Sequence, residues 1–275
     1  MMGMIKRLRR WGPRHKLGYA WVRVRSRLYR LPPAGSFPPA ERAAKRPAGL
    51  VAIGGEITAD TLLEAYRNGI YPLYFKPPVL WWSNDPRAVL FIERFKIGRR
   101  LRALLRRNLF RITFDQAFEE VVKGCADREQ TWITPELAAA AVELHRRGFA
   151  HSAEAWLPDG TLAGGLYGIA LGKAFITESA FYVENNASKV AEVVLNCHLY
   201  QWGFVINDMQ TLSEYAKSIG CVEIDRSEYV RMLAEFRDAE GRPGSWGAEG
   251  CGDVCQNCSN SFKDEVGCHG AHTPV

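Results

Sequence analysis

Apolar and polar positions alternate along this chain with two different periods, and the switches between them outline the elements. In TADTLLEAYRNGIYP, apolar residues fall at Leu62, Leu63, Ala65 and Tyr66. That is one face of a helix, which Thr58 is placed to cap and Gly69 to end. VLWWSNDPRAVLFI follows as two short strand-like runs around an Asn-Asp-Pro turn. GRRLRALLRRNL predicts a helix with Leu101, Leu104, Leu105 and Leu109 on one side. Then come a strand (FRITF), a helix (QAFEEVVKGCA) and a further helix that starts at Pro135. The stretch AHSAEAWLPDGTLAGGLYGIALGKAFITESAFYV predicts a run of antiparallel strands, turning at Asp159-Gly160 and at Leu171-Gly172-Lys173. SKVAEVVLNCHLYQWG predicts an amphipathic helix, FVINDMQ a strand and TLSEYAKSIG a short helix. The expected class is α+β. The expected organisation is a basic extension over 1–36, an N-terminal domain over 37–93, a larger domain over 94–236 and a Cys-rich tail over 237–275.

Composition sharpens this outline at both ends. The 275 residues are 47% hydrophobic, enough for an ordinary core, and no apolar run approaches the roughly 18 residues needed to cross a bilayer. The net charge of +6 is unevenly spread, because residues 1–40 carry ten Lys or Arg and no acid while the remainder is net −4. Such an arm suits a polyanion such as RNA; it also reads as a solvated tail, and it resembles an organellar transit peptide. No secretory signal core is present, and a cytoplasmic location is expected. Of the seven cysteines, Cys125, Cys197 and Cys221 lie in apolar stretches and read as reduced core residues. Cys251, Cys255, Cys258 and Cys268 crowd the end beside His269 and His272, in a spacing compatible with zinc, with an iron–sulfur site or with incidental cysteines in a tail.

Chemistry is suggested by polar residues inside apolar strand-like runs. Period-two alternation in FVINDMQ sets Ile206, Asp208 and Gln210 on one face, and Glu178 interrupts AFITESAFYV. Buried carboxylates are costly unless paired, so two in adjacent strand candidates point to a polar cleft, to a structural hydrogen-bond cluster or to simple solvent exposure. GxSxG, GxxxxGK[ST] and HExxH motifs are all absent. These absences argue against a nucleophile elbow, a phosphate-binding loop and a catalytic metal cluster. A site of carboxylates, an amide, aromatics and arginines suits attack of an amine on an already activated acyl group, where positioning supplies most of the rate.

Nine stretches in register then converge on one family: FPPAERAAKRPAGLVAIGGEIT, LLEAYRNGIYP, LWWSNDPRAVL, TWITPEL, LHRRGFAHSAEAW, GGLYGIALG, ESAF, NASKVA and DMQ. Over about 200 residues the chain resembles the leucyl/phenylalanyl-tRNA–protein transferases. The resemblance implies a small N-terminal α/β domain followed by a GNAT-like (acetyltransferase-like) domain. It implies transfer of Leu, Phe or a related amino acid from aminoacyl-tRNA to proteins with N-terminal Arg or Lys, in N-degron protein turnover. No cofactor, no metal and no membrane are expected, and a monomer is.

Site residues carry over from the resemblance one at a time. Asp208 and Gln210 match the family's catalytic Asp-x-Gln, Gln210 accepting a proton from the attacking amine while Asp208 polarises it. Glu178 matches the acid that helps hold the cationic acceptor terminus. Trp132 in TWIT would stack on the terminal adenine of the tRNA. Arg99, Arg100, Arg102 and Arg106, with Arg107, would track acceptor-stem phosphates. Leu166, Phe175, Thr177, Ala180 and Leu195 would line the aminoacyl pocket. The chain departs from the family pattern at that pocket: Thr177 and Ala180 replace Gly and Met of GESMF, Asn207 replaces an aliphatic residue, Leu73 a Trp and Tyr215 a His. Loss of the methionine predicts a larger pocket that prefers bulkier side chains. Two other readings remain open from the sequence: an acetyl-CoA-dependent N-acetyltransferase, for which the expected pyrophosphate loop is missing, and a non-catalytic tRNA-binding protein.

Overall fold

The computed structural model describes residues 30–31, 36–74, 76–127, 131–242 and 244–247. Of the basic extension only residues 30, 31 and 36 are among them, and Cys251, Cys255, Cys258 and Cys268 lie outside the described residues. Ten strands, seven α-helices and two short 3₁₀ turns are formed among them. β1 (Leu50–Ile53), β2 (Tyr71–Pro72) and β3 (Leu80–Trp82) make a three-stranded antiparallel sheet in the order β1-β3-β2. The other seven strands are β4 (Arg87–Phe91), β5 (Arg111–Phe114), β6 (Ala150–Trp156), β7 (Leu162–Leu171), β8 (Ala174–Tyr182), β9 (Ile206–Gln210) and β10 (Val222–Ile224). They form one sheet in the order β10-β4-β9-β8-β7-β6-β5, antiparallel throughout except for the parallel pair β8/β9.

Local signals account for much of this. Helix α1 (Ala59–Arg67) begins where the Thr58 hydroxyl accepts from Thr61 N at 3.1 Å. Helix α4 (Pro135–Arg146) begins with proline after Thr134, whose hydroxyl accepts from Leu137 N. Gly160 at φ +86° and Gly172 at φ +53° supply the left-handed positions of the two hairpin turns. The Asn84-Asp85-Pro86 segment is not a hairpin. It joins β3 of one sheet to β4 of the other, so β4 belongs to the large sheet although it precedes residue 94.

The large sheet carries a core on each face. One core joins it to the small sheet through α1, α3 (Phe118–Ala126) and α4, with Trp81, Tyr66, Val121, Leu144, Tyr167 and Ile176 inside. The other lies under α2 (Arg99–Arg106), α5 (Ala187–Gln201) and α6 (Glu214–Ser218) and includes Phe114, Leu166, Phe175 and Leu195. Helix α7 (Arg226–Phe236) packs Tyr229, Met232 and Leu233 against β4 and β9.

Three expectations change. Helix α5 is not amphipathic in its setting: every residue from Val190 to Leu199 is buried, Glu192, Asn196 and His198 included, because helices and sheet enclose it. The chain beyond Phe236 does not leave the body at once, since Trp246 is 1% exposed in the second core with its ring stacked on His151 at 3.7 Å. Cys125 and Cys221 are buried cysteines outside any disulfide, whereas Cys197, expected to be reduced, is disulfide-bonded.

Candidate active site

The strand pair β8/β9 builds the site by separating. Its parallel pairing runs through Ala174↔Ile206 and Phe175↔Asn207 to Ile176↔Asp208, and stops there. Two backbone irregularities sit at the fork. On β8, Gly168 pairs with Thr177 and Tyr167 with Ser179, so Glu178 is the extra residue of a β-bulge. Opposite the bulge, Gly168 is required by contact: a Cβ there would lie 2.3 Å from Ile176 O. On β9, Gln210 turns the strand end with φ +59°, a left-handed conformation that costs a non-glycine residue free energy.

That turn is held by Asp208. Its carboxylate is fully buried and accepts Gln210 N at 2.8 Å, Arg87 Nε at 2.9 Å, Arg87 Nη2 at 2.6 Å and the Tyr229 hydroxyl at 2.6 Å. Arg87 is 1% exposed and lies between the rings of Tyr71 and Tyr229, 4.9 and 4.7 Å from their centroids. A buried guanidinium is tolerable only with such a bidentate partner and aromatic faces. The charge of Asp208 keeps Arg87 protonated above its already high ordinary range.

Glu178 stands beside this pair. Its Oε2 accepts the Tyr66 hydroxyl at 2.6 Å and Gln210 Nε2 at 3.0 Å, and the Trp132 side chain also bonds to the carboxylate. Gln210 Nε2 donates in addition to Thr177 O at 3.4 Å. Burial pushes the Glu178 carboxyl above its ordinary value, against the hydrogen bonds from Tyr66, Gln210 and Trp132 and the positive charge of Arg87. The result is a carboxyl group fixed by three donors and linked through Gln210, whose side-chain amide bonds Glu178 and whose backbone N–H bonds Asp208, to a second, Arg87-paired carboxylate.

Of the residues expected from the sequence, Asp208, Gln210, Glu178 and Trp132 therefore come together. Trp132 is 4% exposed, its ring covered by the first core. The residues expected to line an aminoacyl pocket gather on the opposite face of the sheet: Leu166, Phe175 and Leu195 are buried in the second core, Ala180 packs against it, and Thr177 Oγ1 donates to Asn207 Oδ1 at 2.9 Å. The two groups meet at the neighbouring residues Thr177 and Glu178. Arg99, Arg100 and Arg106 are exposed and Arg102 half-buried, on a helix anchored by Leu105 beside the second core; none forms an ion pair among the described residues. No cluster of three or more His, Cys, Asp or Glu suited to a metal occurs among the described residues, and none of their helices is long and apolar enough to cross a membrane.

Arg87, Tyr66, Tyr71 and Tyr229 were missed. Arg87 offered one signal, an arginine immediately after Pro86 and before the apolar run AVLF.

The fold and site define a two-sheet α+β protein whose strand fork carries a buried carboxylate–amide centre, an arrangement suited to handling the proton of an attacking group. Comparison with known proteins says which one. The family model described as leucyl/phenylalanyl-tRNA protein transferase matches residues 89–234, and that of the same family's N-terminal domain matches 55–85. A leucyl/phenylalanyl-tRNA–protein transferase from Aromatoleum aromaticum is 45% identical over 228 residues, covering 81% of this chain and 96% of its own length. Another, from Methylococcus capsulatus, is 44% identical over 216 residues, covering 77% and 92%. A solved structure, L-PGS from Bacillus licheniformis, overlaps with a TM-score of 0.34 at 13% identity, covering 60% of this chain and 54% of that one, too little to bear on the fold. The chain belongs to the leucyl/phenylalanyl-tRNA–protein transferase family.

Proposed function

We propose that the chain transfers an aminoacyl group from a charged tRNA to the N-terminal amine of an acceptor protein, on a GNAT-like catalytic domain. The observation that carries this is the Glu178–Gln210–Asp208 cluster at the β8/β9 fork, in a chain of this family. The reaction is an aminolysis. The α-amine forms a C–N bond to the ester carbonyl, the bond to the ribose oxygen breaks, and the proton lost by the amine ends on that oxygen. The ester is already activated, and the amine, with a pKa near 8, is readily neutralised.

Each group has a task that follows from its bonds. Gln210 spends its Nε2 on Glu178 and Thr177, which leaves the amide oxygen to accept an N–H of the incoming amine. Asp208 acts through the backbone: it fixes the strained turn at Gln210 and is itself saturated by Arg87 and Tyr229. It is thus a positioning residue rather than one that polarises the amine directly. Glu178 supplies negative charge for a cationic acceptor terminus, which supports proteins beginning with Arg or Lys as acceptors and a place in N-degron turnover. Trp132 holds Glu178; stacking on the terminal adenine requires its ring to be uncovered first. The unpaired arginines of α2 follow the acceptor-stem phosphates. A monomer working in the cytoplasm completes the reading.

The test is direct. Incubate the protein with labelled Leu-tRNA or Phe-tRNA, or a panel of other charged tRNAs, and a peptide beginning with Arg. Label should enter the peptide and be lost in Gln210→Ala while tRNA binding persists. Failure of every charged tRNA to donate overturns the reading.

A further inference from the structure

The amide that meets the incoming amine sits in a backbone irregularity of its own. Along β4 and β9, Ala88 pairs with Gln210 and Val89 with Asp208, so Met209 is an extra residue on β9 and the Asp-x-Gln segment is a bulge. Gln210 closes that bulge at φ +59°. A left-handed residue with a full side chain persists only where its surroundings over-determine it. One constraint is on its backbone N–H, which Asp208 holds at 2.8 Å. The other is on its carbonyl, which accepts Asn84 Nδ2 at 3.0 Å.

Asn84 belongs to the joint between the two sheets and lies just before Arg87 in the chain. One short segment therefore grips the bulge at both ends. Arg87 binds the Asp208 carboxylate that holds Gln210 N, and Asn84 holds Gln210 O. The joint is in turn pinned from outside by the first residue of α7. Arg226 N donates to Asp85 Oδ1 at 3.2 Å, Arg226 Nη2 to Asp85 Oδ2 at 2.9 Å and Arg226 Nη1 to Ser83 O at 3.0 Å. Asn84 thus has a fixed neighbour on either side, and its side chain also bonds that of Tyr71 in the small sheet. A side-chain amide suits the place because it carries N–H donors, whereas a carboxylate of the same shape has none to offer a carbonyl.

We infer that Asn84 is a positioning residue for aminoacyl transfer: by holding the Gln210 carbonyl it fixes the bulge and keeps the Gln210 side-chain oxygen aimed at the attacking amine. The inference rests on the transferase reading above and adds to that site a residue from the joint between the sheets. It also gives the small sheet a part in the chemistry, since β3 runs straight into the residue that sets the catalytic turn. Asn84 touches neither substrate in this assignment. Its loss should therefore slow the chemical step and leave substrate affinity alone.

The experiment compares the unaltered protein with Asn84→Ala, Asn84→Asp and Arg226→Ala, each checked for cooperative unfolding. The assay is steady-state transfer of labelled Leu or Phe from tRNA to an Arg-initiated peptide. Asn84→Ala removes the donor and should lower kcat by about fivefold to tenfold, the worth of one neutral hydrogen bond, with KM for both substrates within about twofold. Asn84→Asp keeps the shape but turns an acceptor toward the Gln210 carbonyl, and should lower kcat at least as far. Arg226→Ala leaves Asn84 in place while freeing its flanks, and should give the same signature at smaller size. A kcat within about twofold of the unaltered protein in both Asn84 variants overturns the inference, and so does a rise in KM at unchanged kcat. Either result leaves the transferase reading standing. Should neither Asn84 variant unfold cooperatively, Arg226→Ala decides, and an unchanged kcat there overturns the inference. No transfer by the unaltered protein from any charged tRNA sinks both.

Discussion

Glu192 makes a prediction that needs no substrate. Burial pushes its carboxyl up to about 7, from an ordinary value near 4.5, and the neighbouring Tyr215 hydroxyl offsets only part of that. The folded chain therefore holds the proton more tightly than the unfolded chain. The stability from this group is complete below about pH 4.5 and is lost as pH rises through about 7. A shift of that size at 1.36 kcal/mol per unit amounts to about 3 kcal/mol, most of it lost between pH 5 and 8. Glu192→Gln reproduces the neutral form at every pH and removes the slope. Urea unfolding of both proteins at half-unit steps from pH 5 to 8 measures it. Every other titrating group is common to the two and cancels in the difference. The variant should gain on the parent by about 2–3 kcal/mol across the range, with the steepest change at about pH 5.5 to 6, midway between the unfolded and folded values. Stability curves that stay parallel would mean that Glu192 is solvated in the folded chain and would contradict its burial.

The remaining predictions concern the fork and the basic helix. Asp208→Asn leaves the Arg87 guanidinium at 1% exposure without its counter-charge, and should cost about 3–5 kcal/mol in chemical denaturation; a loss under about 1 kcal/mol would contradict the buried pairing. Tyr66→Phe removes a hydrogen bond that lowers the proton affinity of Glu178, so the acid limb of the transfer rate should move to higher pH, and an unshifted profile would show that Glu178 does not titrate in the reaction. Replacing Arg99, Arg100 and Arg106 together by Ala should make the dependence of log K for tRNA on log salt shallower by about 2, at 0.7–0.9 per phosphate contact; an identical slope would place the tRNA elsewhere. Gly168→Ala drives a Cβ to 2.3 Å from Ile176 O and should destabilise the fold by roughly 1–3 kcal/mol through overpacking, which a fall in Tm would register.

What could be foreseen from the sequence divides according to how far apart the cooperating residues are. Thr58, Thr134 with Pro135, Gly160 and Gly172 act within a few residues, and each predicted end or turn formed where expected. Arg87 and Asp208 are 121 positions apart, and Tyr66 and Glu178 are 112 apart. Tyr66 therefore read only as an apolar helix position, and Arg87 only as the start of a strand. Asn84-Asp85-Pro86 has the composition of a hairpin turn, and nothing within it distinguishes a turn inside one sheet from a joint between two. Helix α5 misled for a related reason. Glu192 and Asn196 recur at the spacing of a solvent-facing stripe, and the sheet, α2 and α6 that cover that stripe are separate in sequence.

The bulge at Glu178 shows why the face of a strand is harder to foresee than its existence. Strict alternation through AFITESAF would put Ile176, Glu178 and Ala180 on one side of β8. In the structure Ile176 and Phe181 belong to the first core while Phe175 and Ala180 belong to the second, so the phase changes between Glu178 and Ala180. One extra residue thus leaves the carboxylate facing Tyr66 and Gln210 and sends Ala180 through to the second core on the far face. Without the bulge, Glu178 and Ala180 would lie on the same side of the sheet. The acid–amide cluster and the residues proposed to line the aminoacyl pocket are therefore kept on opposite faces of a single strand. This geometry explains how Thr177, Ala180 and Asn207 can all differ from the family pattern while the bonds among Glu178, Gln210 and Asp208 remain intact: the two sets of residues adjoin at the fork but bond to different elements.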